Sequence, residues 1–143
     1  MKYRTNILKF LSKNRLMSLA TVAGNKPWAA TAFFAYDKNC NILFYSREDT
    51  KHCRDIAKNQ NVAVTFNQWN GTPNSIKGLQ IVGRASKIPI SSSSFSSLYS
   101  IYRTRYPWAE KFKSDHTLYV IRPKEIYYID QALFGHFFRV RAK

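Results

Sequence analysis

The chain has 143 residues, 45% of them hydrophobic and 15% aromatic, with 23 Lys plus Arg against 8 Asp plus Glu for a net charge of +15. That composition can fill one packed core and excludes wholesale disorder, so a single domain over residues 1–143 is expected. The longest apolar run, 28–36, is too short for a spanning helix, and neither a signal-peptide pattern nor a disulfide framework is present, so a cytoplasmic protein without membrane contact is expected.

Apolar residues at 7, 8, 10 and 11 predict a short amphipathic helix over 6–13. The period then changes to two over 16–23, which reads as a strand. Gly24-Asn25-Lys26-Pro27 turns the chain, so 28–36 should return antiparallel. A turn at 37–41 leads to a third strand over 42–46, and this meander argues against alternating βαβ units. Glu48-Asp49-Thr50 offers capping residues for a helix over 51–59. Strands are predicted over 61–68 and 78–88, separated by a polar loop. Six serines around Phe95, four before it and two after, mark the entry to a helix over 95–106, which Pro107 closes. Three short strands follow at 118–121, 126–129 and 136–140, with a tight joint at 122–125. Closure of these strands into a small antiparallel barrel would remove exposed edges.

The positive charge is spread along the whole chain: +7 over 1–62, +3 over 63–100 and +5 over 101–143. No basic run or zinc-finger spacing concentrates it. Bases and aromatics do interleave at Tyr99, Tyr102, Arg103, Arg105, Tyr106 and Trp108, a pattern that suits stacking on single-stranded bases. An amphipathic helix with a wetted basic face explains it better, so nucleic acid is not the expected partner. The same diffuse charge suits small phosphorylated ligands.

Catalytic signatures are sparse. No Gly-x-Ser-x-Gly or metal-ligand spacing occurs, and His52, His116 and His136 have no evident serine or cysteine partner. Cys53 reads as a buried, inert thiol. His136 is a conceivable haem ligand, but an ordinary surface or core histidine explains it far better. The segment 42–51 is more informative. There a strand ends at Ser46 and a helix begins at Thr50-Lys51, so two hydroxyls, an ammonium and free helix N–H groups could meet one anion. The competing reading is that Asp49 or Thr50 simply caps the helix while Lys51 stays in solvent.

Several motifs occur together in order. They are Leu19-Ala20-Thr21-Val22, Pro27-Trp28-Ala29-Ala30-Thr31, Phe34-Ala35-Tyr36-Asp37, Phe44-Tyr45-Ser46, Thr50-Lys51, and Ile56-Ala57-Lys58-Asn59-Gln60-Asn61-Val62. Gly78-Leu79-Gln80-Ile81-Val82-Gly83-Arg84-Ala85 and a hairpin-like run through Pro123 complete the series. From about residue 7 to 140 the chain resembles the pyridoxamine 5′-phosphate oxidase-like, FMN-binding split-barrel family, closest in pattern to its small uncharacterised bacterial members. The resemblance implies a six-stranded antiparallel split β-barrel with peripheral short helices, working as a homodimer that binds FMN. It implies that Ser46, Thr50 and Lys51 hold the phosphate and that Ala29, Ala30 and Thr31 line the ring-side strand. Gln80 and Trp108 would reach in from the second subunit. Oxidase members carry a basic pair on the second strand, where this chain has only Ala29-Ala30-Thr31-Ala32-Phe33-Phe34.

A flavin supplies its own redox chemistry, which fits the lack of a nucleophile or metal cluster. The resemblance thus implies a flavin-dependent oxidoreductase of unknown substrate, with a nicotinamide cofactor as one electron source. A non-catalytic flavin or haem binder is the alternative. The loop 69–77 and the aromatic helix 95–106 are expected to supply the self-association face.

Overall fold

The computed structural model describes residues 1–136 and 138–143. Helix α1 (Arg4–Ser12) buries Ile7, Phe10 and Leu11, the stripe expected of an amphipathic helix. Strands β1 (Leu16–Ala23) and β2 (Lys26–Phe33) form a hairpin in register Ala20↔Ala29, turning through Gly24 at φ +61°. A two-residue strand, β3 (Ala35–Tyr36), then pairs with β4 (Ile42–Ser46), so the run expected over 28–36 is broken at Phe34. Helix α2 (Lys51–Lys58), β5 (Asn61–Gln68), β6 (Lys77–Ile88) and α3 (Phe95–Arg105) follow as expected. A short 3-10 turn (Pro107–Phe112), β7 (Thr117–Asp130), α4 (Gln131–Phe134) and β8 (Val140–Arg141) complete the order.

All strands join one antiparallel sheet in the order β2-β1-β5-β6-β7-β4-β3, with β8 beside β7. The two ends of that order come together where β2 approaches β4, so the sheet curls into a barrel split along that seam. The expected six strands are β1, β2, β4, β5, β6 and β7, and β3 and β8 are two-residue additions. Of the strand expected over 136–140, Phe137 lies outside the described residues and pairing is found at Val140–Arg141.

The joint expected at 122–125 is absent, because β7 runs straight through it. Its register against β6 shifts between Val82↔Glu125 and Gly83↔Pro123, a bulge that accommodates a proline unable to donate to the ladder. A Cβ on Gly83 would lie 2.6 Å from the Arg122 carbonyl oxygen, so the close approach at the bulge requires glycine.

Strand β4 divides the core. Ile42 and Phe44 face the barrel interior with Met17, Leu19, Phe66 and Ile121. Leu43 faces the other way, joining Val120, Ile88, Tyr99 and Tyr102 beneath α3. The aromatic side of α3 is thus covered by this chain's own sheet, which removes Tyr99, Tyr102 and Tyr106 from base stacking and from self-association. The Tyr106 hydroxyl donates to the Phe34 carbonyl at 2.6 Å. Arg105 sits among the rings of Phe34, Tyr36 and Tyr106 and donates to the Leu11 and Asn14 carbonyls, tying α3 to the end of α1.

One uncovered apolar surface lies on the outer face of β2, β1, β5 and β6, where Leu16, Phe33 and Val82 are exposed. Between them run small side chains, in cross-strand rows Ala29–Ala20–Ala63–Val82 and Thr31–Ser18–Thr65–Gln80. Trp28, also exposed, stands opposite buried Thr21 on the other face of β2, beside Lys51. In the loop expected to join the self-association face, Trp69 and Ile76 are exposed as well.

Candidate functional site at the end of β4 and the start of α2

Thr50 caps α2. Its hydroxyl oxygen accepts the Cys53 N–H at 3.4 Å and its hydroxyl donates to the Arg47 carbonyl at 2.9 Å. The capping reading therefore describes Thr50, whereas Asp49 is an exposed partner of Arg47 at 2.6 Å. The N–H groups of Lys51 and His52, first in the helix, have no acceptor within it and carry the positive end of its dipole.

Ser46 ends β4 on the interior side, one residue after Tyr45 turns to the α3 side. Its hydroxyl lies 3.1 Å from His52 Nε2, and that nitrogen is 3.4 Å from Thr50 Oγ1. Burial pushes the His52 pKa down, which favours the neutral ring, and the tautomer of that ring sets whether Nε2 accepts from the Ser46 hydroxyl or donates to it. The expectation that His52 lacks a serine partner is thus overturned. The strand–loop–helix turn folds position 52 back over position 46, a pairing that no sequence motif encodes.

Lys51 is not free in solvent. Its Nζ lies 2.5 Å from Asp55 Oδ1 one helical turn on, and Thr21 Oγ1 donates to the other carboxylate oxygen at 2.8 Å. Asp55 is buried, and its pKa is held down first by the Lys51 hydrogen bond, against the opposing effect of desolvation, and then by Thr21. The i,i+4 spacing of Lys51 and Asp55 was the readable signal for this pair. Lys51 also lies 5.9 Å from the Trp28 ring centroid, which brings β2 to the same place.

The other expected site residues divide between surfaces. Ala29 and Thr31 project from the outer face, whereas Ala30 pairs with buried Leu19 and points inward beside the seam. Gln80 shares the outer face with Thr31, two intervening residues along the same cross-strand row, and accepts a bond from Arg139 at 2.7 Å. Trp108 packs edge-on against Phe33 of its own chain, with ring centroids 5.4 Å apart. His136 is exposed and lies 3.3 Å from Gln131.

The donor set at 46–52, at a barrel seam bordered by a strand of small residues, is that of an anion cradle. The family model "Pyridoxamine 5'-phosphate oxidase" matches residues 4–130 of this sequence. The chain belongs to that family. A UPF0306 protein from Cronobacter sakazakii is 31% identical over 129 residues, covering 89% of this chain and 86% of the relative. Among solved structures, a heme binding protein from Mycobacterium smegmatis superposes with a TM-score of 0.81 at 12% identity. That match covers 100% of this chain, which spans 59% of the length of that protein. A FAD-binding protein from Mesorhizobium loti gives a TM-score of 0.72 at 16% identity, covering 85% of this chain and 88% of the other. These two likenesses establish the split-barrel fold. No helix among the described residues is long and apolar enough to cross a membrane.

Proposed function

We propose that this protein binds FMN and uses it as a flavin-dependent oxidoreductase, in a homodimer. The observation that carries the reading is the convergence of Ser46, His52 and the α2 N-terminus at the split of a barrel of this family. An oxygen-rich phosphate suits this donor set: a hydroxyl, two helix N–H groups and an ammonium. Lys51 keeps Asp55 as one partner while its remaining protons are available to a ligand. The small side chains of Ala29, Ala30 and Thr31 leave the β2 backbone approachable by a flat ring. When bound, the flavin would supply the redox chemistry, and the chain's residues would hold, orient and shield it.

The homodimer is favoured by the outer sheet face, where Leu16, Phe33 and Val82 remain exposed around a floor of alanines. A second copy laid on this face would bring Gln80 toward the partner's β2. A nicotinamide cofactor is a suitable source of electrons.

A haem-binding function is the second reading, favoured by the fold's likeness to the mycobacterial heme binding protein. The absorption spectrum of the purified protein, with and without added FMN or haem, separates the two. Flavin bands that persist through gel filtration are the expected result. A Soret band with no retained flavin would replace the first reading by the second.

A further inference from the structure

On the opposite side of β4 from Ser46 lies a cavity of about 810 Å³ that the flavin reading leaves unused. It sits between α3, the ends of β4, β6 and β7, and the 91–97 serine segment. Its size falls within the roughly 300–1,000 Å³ of small-molecule sites. Tyr45, Ile88, Tyr99 and Leu118 make an apolar floor. The half-buried Phe95 ring stacks on nearly buried Tyr99, with centroids 5.4 Å apart and planes 8° apart, so the aromatic surface open to the cavity is mainly that of Phe95.

The rim is charged and unbalanced. Lys87, Arg103 and Lys113 line the cavity, and two carboxylates stand against these three cations: Glu48, 2.8 Å from Lys87, and Glu110 behind the other two. Arg103 and Lys113 are held by Glu110, which also accepts the Tyr99 hydroxyl at 3.3 Å, so the cations are fixed over the aromatic surface. Burial, as the largest cause, pushes the Tyr45 pKa up to about 12, which keeps its hydroxyl protonated at neutral pH. Ser96 and Ser100 add hydroxyls from α3, which gives the serine-biased segment a role beyond starting a helix.

We infer that this cavity is a second binding site, for a small aromatic monocarboxylate whose ring lies along Phe95 and whose anion meets Lys87 and Arg103. The aromatic floor selects a flat ring, and the excess of cations at the mouth selects a negative charge. The site is separate from the Ser46–Lys51 cradle because consecutive residues of a strand face opposite sides of the sheet.

The test is calorimetric titration of the full chain with 2-naphthoate and with its neutral counterpart, 2-naphthalenemethanol. Saturable binding of naphthoate at one molecule per chain is expected, with the alcohol about tenfold weaker or more. The exposed substitutions Lys87→Gln and Arg103→Gln together should weaken naphthoate about tenfold and leave the alcohol unchanged, as loss of a charge-assisted contact implies. Ser96→Trp, which fills the cavity, should abolish binding of both while circular dichroism and FMN affinity stay as in the parent. Equal affinity for acid and alcohol, non-saturating heats, or naphthoate binding that survives Ser96→Trp in a folded protein would each overturn the assignment.

Discussion

Lys51 and Asp55 form an ion pair 2.5 Å long at the mouth of the candidate cradle, in which the carboxylate is buried and the ammonium half-exposed. The pair joins binding to stability. Lys51→Ala should weaken FMN binding by roughly ten- to a hundredfold, as loss of a charge-assisted hydrogen bond implies. It should also cost about 1–3 kcal/mol of folding stability, because Asp55 keeps only Thr21 as partner. Fluorescence-monitored urea unfolding of the FMN-free protein measures the second effect. An unchanged midpoint would show that Asp55 is satisfied without Lys51.

The same pair sets an acid limit. The Asp55 pKa is lower folded than unfolded, so its contribution to stability is complete above the unfolded value of about 3.9 and fades as pH falls through the folded one. Asp55→Asn should flatten the loss of stability below pH 4. A parent and variant with parallel stability–pH curves would remove Asp55 from the acid response.

His52 should titrate below its ordinary value of about 6.5, since burial disfavours its charged form. A depressed pKa means stability that is complete above about 6.5 and lost as pH falls through the folded value. The imidazole resonance followed by NMR, compared with His52→Gln, checks both the midpoint and its effect on FMN affinity. A midpoint at or above 6.5 in the FMN-free protein would contradict the half-buried, neutral ring that pairs with Ser46.

The proposed dimer makes a prediction about Ala63. Its side chain lies on the outer face in the row Ala29–Ala20–Ala63–Val82, so Ala63→Glu places a charge in the middle of the expected interface. The parent should run as a dimer by light scattering at micromolar concentration, with an interface above the standard ~1,600 Å². The variant should run as a monomer with its secondary structure retained. A parent that is monomeric while binding flavin would end the dimer proposal.

Gly83 tests the bulge. A methyl group there meets the Arg122 backbone at 2.6 Å, so Gly83→Ala must displace β7 and should cost about 1–3 kcal/mol. Denaturant unfolding gives the number. A neutral effect would mean that the bulge relaxes freely.

The residue pattern alone determined the β1–β2 hairpin, the α2 and α3 boundaries within a residue or so, and the strands at 42–46 and 61–68. These rest on local periodicity, turn residues and capping, all of which act over a few positions. The ordered motifs also determined the family, since together they describe a path through the barrel. Tertiary structure alone decided which partner each polar group takes. Ser46 meets His52, and Lys51 meets an Asp55 that Thr21 also holds, because a loop and a curled sheet bring those groups together. It also carried β7 through Pro123, since the bulge depends on the facing glycine of β6 rather than on the proline's neighbours. Alternation along β4 then set two different surfaces back to back: the cradle at Ser46 and the aromatic cavity at Tyr45. Local spacing predicts that two such faces exist, but what covers each is settled only when distant helices pack against them.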